Sequence, residues 1–272
     1  MVEIAVEKPQ VLRIFDRDEP AAPGAGEVMV RVQRAGICGS DMHILHGANP
    51  FAVYPRVIGH EFAGVVEALG PGVDSIAVGT RVVVDPVVSC GHCYACRVGR
   101  GNVCGNLQVF GVHRDGGFRS RLTVPVPNCI PVPDAMSIDI AALAEPLSIA
   151  ANVLSRTGIE AQDTVLIYGA GTVGLTVLQV AKLHGARCIV ADIDPARLER
   201  ARGFGADLTI DSRQEKVAER VAGENDGLGP TVVIDGAGVP ALLEEACRVA
   251  SPAGRIGILG FSTAPCNVVQ QE

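Results

Sequence analysis

Four cysteines fall within fifteen residues, at Cys90, Cys93, Cys96 and Cys104. Four thiolates in one short loop can close a tetrahedral shell around a divalent ion. A closed shell leaves no position for substrate, so such a metal holds structure rather than doing chemistry. A redox reading of the Cys-x-x-Cys spacing fits less well, because four thiols in one loop favour metal over a dithiol pair. An iron–sulfur cluster could use the same ligands. A nucleic-acid-binding zinc ribbon would call for two widely separated pairs and a basic face, and this sequence has neither.

A second group offers the opposite chemistry. Cys38 lies in Gly36-Ile-Cys38-Gly-Ser40-Asp41, His60 in Gly59-His60-Glu61, and a further carboxylate, Glu145, arrives later. Mixed sulfur, nitrogen and oxygen ligation by three protein groups leaves a coordination position open for water or substrate. Taken singly, these residues would be a buried thiol, a turn histidine and a surface acid. Ser40, two residues past the cysteine, is placed to take a proton from a bound hydroxyl. Asp41 is the carboxylate expected to orient His60.

A third constellation is the run Gly169-Ala-Gly171-Thr172-Val173-Gly174. A G-x-G-x-x-G match is weak alone, but a strand-like run (Val165–Tyr168) precedes it and a helix-like run (Leu175–Lys182) follows. Gly169 allows a tight turn, and Gly171 leaves room for a pyrophosphate. Gly174 lets helix and strand approach, and Thr172 and Val173 open a helix whose N-terminus faces the phosphates. Asp192 ends the next strand, twenty-three residues after Gly169. A carboxylate there accepts hydrogen bonds from a ribose 2′-hydroxyl and repels a 2′-phosphate, which favours NAD over NADP. Arg197 argues the other way, since it could receive a phosphate. Its alternative reading is a surface residue on a helix capped by Asp194 and opened by Pro195.

These residues need two kinds of scaffold. The first half is strand-and-turn material: Met1–Lys8, Val28–Gln33, Phe62–Leu69 and Arg81–Asp85 read as short strands. The stretch 89–107 has almost no apolar periodicity and needs its metal as a staple. After about residue 140 the pattern changes. A helix over Ile140–Thr157, capped or kinked at Pro146, leads into alternating strands and helices. Strands are expected at 164–168, 187–191, 208–210, 231–235 and 255–259, and helices at 172–184, 195–203 and 240–250. Alternation with near-continuous apolar strands predicts an α/β fold with a doubly wound parallel sheet. Five of the usual six strands can be placed.

Composition agrees. The 272 residues are 48% hydrophobic and only 4% aromatic, so the core is built from aliphatic side chains. A net charge of −7 argues against a nucleic-acid or anionic-membrane partner. Five of nine cysteines fall into metal-ligand patterns, which points to a reducing, cytoplasmic setting. The remaining four (Cys129, Cys188, Cys247 and Cys266) read as ordinary thiols. The N-terminus alternates like a strand rather than a signal peptide. The longest uncharged run, Val165–Ala181, carries three glycines and reads as strand, turn and helix rather than a membrane span.

Three segments carry a family resemblance: Tyr54-Pro-Arg-Val-Ile-Gly-His-Glu61, Asp85-Pro-Val-Val-Ser-Cys-Gly-His-Cys93 and Gly111-Val-His-Arg-Asp-Gly-Gly-Phe118. The sequence resembles the medium-chain zinc-dependent alcohol dehydrogenases, in their polyol and sugar-acid branch, and most resembles the bacterial starvation-sensing zinc-type members. The resemblance implies a GroES-like β-rich catalytic domain over 1–148 and a Rossmann domain over 149–272. It implies two Zn²⁺ per chain, NAD, a small alcohol substrate, and a homodimer or homotetramer. It makes Glu145 the third catalytic-zinc ligand beside Cys38 and His60, with Glu61 as the alternative, and His43 the station after Ser40 in a proton relay. Relatives run several tens of residues past the last one here, into the sixth Rossmann strand. A chain without that strand would have an exposed sheet edge and a doubtful oligomer. The rival reading is therefore a catalytically impaired homologue that only binds zinc and dinucleotide.

Overall fold

In the computed structural model, which describes residues 1–268, the chain forms two compact units, Met1–Glu145 and Pro146 onward. Residues 269–272, at the end of the expected cofactor domain, lie outside the described residues.

The first unit runs β1 (Val2–Lys8), β2 (Val11–Asp16), β3 (Glu27–Gly36), α1 (Gly39–Leu45), β4 (Arg56–Val57), β5 (Glu61–Leu69), β6 (Arg81–Val84), β7 (Val87–Val88), α2 (Tyr94–Arg97), β8 (Gln108–Val109), β9 (Arg121–Pro125), β10 (Cys129–Pro131) and α3 (Ile138–Ala141). Its main sheet has the antiparallel order β10-β6-β5-β3-β9, and a smaller one the order β2-β1-β4. Alternate residues of the main sheet point inward, as period-two patterning requires: Val28, Val30, Phe62, Val66, Val82, Val84, Leu122 and Val124 form one buried cluster. Phe62 meets Phe110 edge to face at 6.1 Å, an arrangement that suits the ring quadrupoles.

One register matters most for chemistry. Antiparallel pairing of β3 with β5 sets Gly36 opposite Glu61. Cys38, two residues beyond Gly36, is thereby carried toward His60, which immediately precedes Glu61. Gly36 leaves room here for the Glu61 side chain, since a Cβ on residue 36 would stand 2.2 Å from a Glu61 carboxylate oxygen and displace it.

The second unit begins with α4 (Ala144–Thr157), whose first residues belong to the preceding unit. It continues through β11 (Thr164–Tyr168), α5 (Thr172–Leu183), β12 (Arg187–Asp192), α6 (Pro195–Gly203), β13 (Leu208–Asp211), α7 (Val217–Val221), the short α8 (Glu224–Gly227), irregular because Asn225 and Asp226 are left-handed, β14 (Val232–Asp235), α9 (Pro240–Val249) and β15 (Arg255–Ile258). The strands are all parallel in the order β13-β12-β11-β14-β15. Both faces are covered, so β11 is buried at every residue. The order reverses between β11 and β14, and ligands of open α/β sheets bind at such a switch point.

The expected helix over 140–157 is two helices. It breaks at Ala142–Leu143, and Pro146 sits in the first turn of α4, where its missing N–H would have had no helical partner. The proline thus starts a helix instead of kinking one. Strands β2 and β9 and helices α1 and α7 were not anticipated. They are short, and periodicity over so few residues is ambiguous.

Leu166 is fully buried at the centre of β11, whereas Ile14 on β2 is 73% exposed. Leu166→Ala should lower the unfolding free energy by about 2–5 kcal/mol. Ile14→Ala should stay within about 0.5 kcal/mol. Urea titrations of both variants check the contrast.

Candidate metal and cofactor sites

The four loop cysteines converge. Their ligand atoms all lie within 4.8 Å of one another. Three of the sulfur–sulfur separations are 3.5 Å (Cys93–Cys96), 3.7 Å (Cys93–Cys104) and 3.9 Å (Cys90–Cys96). A tetrahedron with metal–sulfur arms of ~2.3 Å has edges of ~3.8 Å, so these three separations suit zinc. The backbone amides of Cys90 and Asn106 each donate to the Cys104 sulfur at 3.3 Å. Amides from His92 and Cys93 hold the Cys90 thiol down to about 6, which favours the ligating thiolate. Cys96 is pushed the other way, to about 11, by burial and by the neighbouring sulfurs.

The second group is Cys38, His60 and Glu61, whose ligand atoms also lie within 4.8 Å of one another. All three are unfavourable as charged or orphaned groups on their own. Burial raises the Cys38 thiol against the opposing hydrogen bonds from Ser40. Burial raises Glu61 too, and His60 only partly offsets it. His60 Nδ1 is buried without a hydrogen-bond partner. A divalent cation would relieve this concentration of buried acid, and the soft-plus-hard donor set suits zinc. Glu145, in the first turn of α4, is raised by burial. It also feels His60, Glu61, Asp85 and Asp41, so its carboxyl belongs to the same electrostatic neighbourhood.

Asp41 organises this group. It is 1% exposed. Its Oδ2 accepts the Cys38 amide at 2.9 Å and its Oδ1 accepts the Gly59 amide at 2.9 Å, with His60 Nδ1 3.8 Å away. One carboxylate therefore ties together both segments that carry donors. Ser40 Oγ lies 3.3 Å from His60 Nε2. His43, one turn further along α1, is exposed.

Gly59 supplies a second tie. Its φ is +93°, and a Cβ would stand 2.3 Å from the Phe118 ring. Cβ atoms added at Gly111 and Gly116 would stand 2.7 Å and 2.1 Å from the Gly59 carbonyl oxygen. Gly117 donates to the same oxygen at 2.8 Å. The loop 111–118 is thus packed backbone to backbone against the residue before His60.

The glycine loop of the second unit has the expected build. Gly169 has φ +94°, and a Cβ on Gly174 would stand 1.9 Å from its carbonyl oxygen, so helix and strand need both glycines. Gly171 caps α5, with nothing within 4 Å of the place a Cβ would occupy. The first-turn N–H groups of Thr172, Val173 and Gly174 have no helical acceptor and are available to a phosphate. Asp192 is buried at the end of β12. It receives the Ala170 amide at 2.6 Å and the Asp194 amide at 2.8 Å, which fixes the loop's shape. Each oxygen keeps a second lone pair for another donor. Arg197 Nη1 lies 3.9 Å from Asp192 and Arg197 Nε 3.7 Å from Asp194.

Sequence reasoning missed two parts of these sites. The double amide grip of Asp41 is one. The other is Asp235 at the end of β14, whose Oδ1 accepts the Ala237 and Gly238 amides at 2.9 Å each and shapes the turn beside the glycine loop. An acid followed by Gly-Ala-Gly at a strand end was the available signal.

Comparison with known proteins places this architecture. Residues 24–134 match the alcohol dehydrogenase GroES-like domain, and residues 172–270 match the zinc-binding dehydrogenase domain. The starvation-sensing protein RspB of Escherichia coli K12 is 51% identical over all of this chain, which covers 80% of RspB. The L-threonine 3-dehydrogenase of Pyrococcus horikoshii is 39% identical, over 96% of this chain and 76% of that protein. The rspB alcohol dehydrogenase of E. coli CFT073, crystallised with NADH, superposes with a TM-score of 0.93 at 50% identity, covering 100% of this chain and 79% of that one. On its sequence, its two five-stranded sheets and its paired donor clusters, the chain belongs to the medium-chain, zinc-dependent alcohol dehydrogenase family.

Proposed function

We propose that this chain is a zinc- and NAD-dependent dehydrogenase that oxidises a secondary alcohol on a small polyol, sugar acid or related molecule. The observation that carries this reading is the convergence of Cys38, His60 and Glu61 on one point, apart from the closed cysteine shell. The relatives support it. One is solved with NADH, and another acts on L-threonine, which carries a secondary hydroxyl.

The four loop cysteines hold one zinc as a staple. Cys38, His60 and a carboxylate, Glu145 or Glu61, hold the other. When bound, that zinc supplies Lewis acidity to a substrate hydroxyl and the nicotinamide takes up the hydride. The chain's own residues do the rest. Asp41 keeps the Cys38 and His60 segments in register, so the donors need no reordering. The Ser40 hydroxyl receives the substrate proton beside His60. His43, three residues on and on the same helical face, passes it to solvent. In the second unit, the α5 N-terminus and the Gly169–Gly174 loop bind the pyrophosphate, and Asp192 accepts the adenosine ribose hydroxyl, favouring NAD over NADP. Five cysteines in metal-ligand patterns and four more without a disulfide partner fit a reducing compartment, the cytoplasm. Among the described residues, no helix is long and apolar enough to cross a membrane.

Metal analysis of the wild-type chain should find two zincs. Cys38→Ala should retain one, lose turnover on every polyol tested and still bind NADH by fluorescence. Normal turnover in that variant would overturn the assignment, and two zincs with no turnover in the wild type would favour a non-catalytic binder. Glu61→Gln and Glu145→Gln separate the candidate ligands, because only the direct ligand should release the catalytic zinc at low chelator concentration. Asp192→Ala should cut the NAD-over-NADP preference in kcat/KM by about ten- to a hundred-fold, the worth of hydrogen bonds to a charged acceptor. An unchanged ratio would remove Asp192 from the ribose site.

A further inference from the structure

The inward stripe of α9 carries a charged residue where an apolar one would pack best. Leu242, Ala246 and Val249 join the apolar cluster on one face of the parallel sheet, at the spacing of a buried helix stripe. Glu245, three residues after Leu242, falls on the same stripe and is half-buried. Tyr168, the last residue of β11, is 1% exposed and belongs to that cluster, whose other buried members are all aliphatic. Its hydroxyl donates to Glu245 Oε1 at 2.7 Å, across 77 residues of sequence. Burial, and then Glu245 itself, raise the Tyr168 phenol, so it stays the protonated donor.

Polar groups set into an aliphatic cluster destabilise it unless they pair, and a pair is often worth no more than apolar side chains of the same size. What the pair adds is direction, because a hydrogen bond fixes one docking geometry where aliphatic packing tolerates several. Here the docked parts are the two walls of a crevice. The Tyr168 carbonyl accepts the Gly236 amide at 2.9 Å, and a Cβ on Gly169 would stand 3.4 Å from the Gly236 carbonyl carbon. The glycine loop and the turn over 236–239 therefore run side by side. Asp235 grips that turn through the Ala237 and Gly238 amides, and α9 takes over at Pro240. The chain order reverses between these two walls, where an open α/β sheet takes its ligand.

We propose that Tyr168 and Glu245 are positioning residues for the dinucleotide: their hydrogen bond docks α9 against the end of β11 and so sets the spacing between the glycine loop and the 236–239 turn. Tyr168 is buried, so its effect reaches the cofactor through the backbone it holds. A displacement of about 1 Å at a binding wall is enough to weaken what the wall grips. The inference rests on the NAD-binding reading above and adds to it two residues that no glycine motif contains.

The test is fluorescence titration of NADH into the full zinc-loaded chain, with each variant held well below its own Tm. Tyr168→Phe keeps the ring and removes the hydroxyl, and Glu245→Leu removes the acceptor from a half-buried helix position. Each should raise the NADH Kd about three- to tenfold, the worth of one hydrogen bond. The double variant should be no weaker than either single one, since both remove the same bond. Glu245→Gln keeps an acceptor oxygen and should restore nearly wild-type affinity. Leu166→Ala, in the same cluster, loses stability but no polar link, and should bind NADH as the wild type does. If the wild type binds NADH and Tyr168→Phe and Glu245→Leu bind it equally well, the positioning role is overturned and the dinucleotide reading stands. Weakening by Leu166→Ala to the same degree would also overturn it, leaving the pair a packing feature. A wild type that does not bind NADH sinks both readings.

Discussion

The chemistry of the first unit rests on one buried carboxylate with two backbone partners. Asp41 accepts the amide of Cys38 with one oxygen and the amide of Gly59 with the other. A carboxylate out of water is costly unless hydrogen-bonded, and here each oxygen has its donor. The sheet register delivers the two segments to the same place, but it fixes them only to within a residue's reach. Asp41 supplies the remaining precision, and it does so with groups that have no side-chain freedom to lose.

The same economy recurs in the second unit. Asp192 holds the glycine loop through Ala170, and Asp235 holds the neighbouring turn through Ala237 and Gly238. In each case an acid at a strand end pins the loop that follows it or packs beside it. Loops of this kind can be short and glycine-rich and still have one shape. The wider scaffold is plain by comparison: aliphatic layers on both faces of a parallel sheet, and alternating inward residues on an antiparallel one.

Much of this was legible before any coordinates. The fold class, the five parallel strands and the cysteine shell follow from periodicity and spacing, because those signals are local. Cys38 and His60 could be named as partners only through the motifs around them. What brings them together is a long-range strand register between β3 and β5, which no local pattern encodes. The broken helix at Ala142–Leu143 was misread for a similar reason. Pro146 reads in sequence as a cap or a kink of one helix, and in the fold it lies in the first turn of a second helix, α4. The pairing of Glu3 with Arg119 was invisible in the sequence, since it spans 116 residues.

The glycines around His60 set limits on how such a protein can change. Gly59, Gly111 and Gly116 meet main chain to main chain, and no side chain fits at any of the three. Mutational drift in that wall of the site is therefore closed off. The segment from His46 to Val53 is exposed at most positions, with Gly47, at φ +76° and a Cβ position 3.0 Å from Pro9, as its constrained point. Any redesign of that site would have to leave the glycine wall alone.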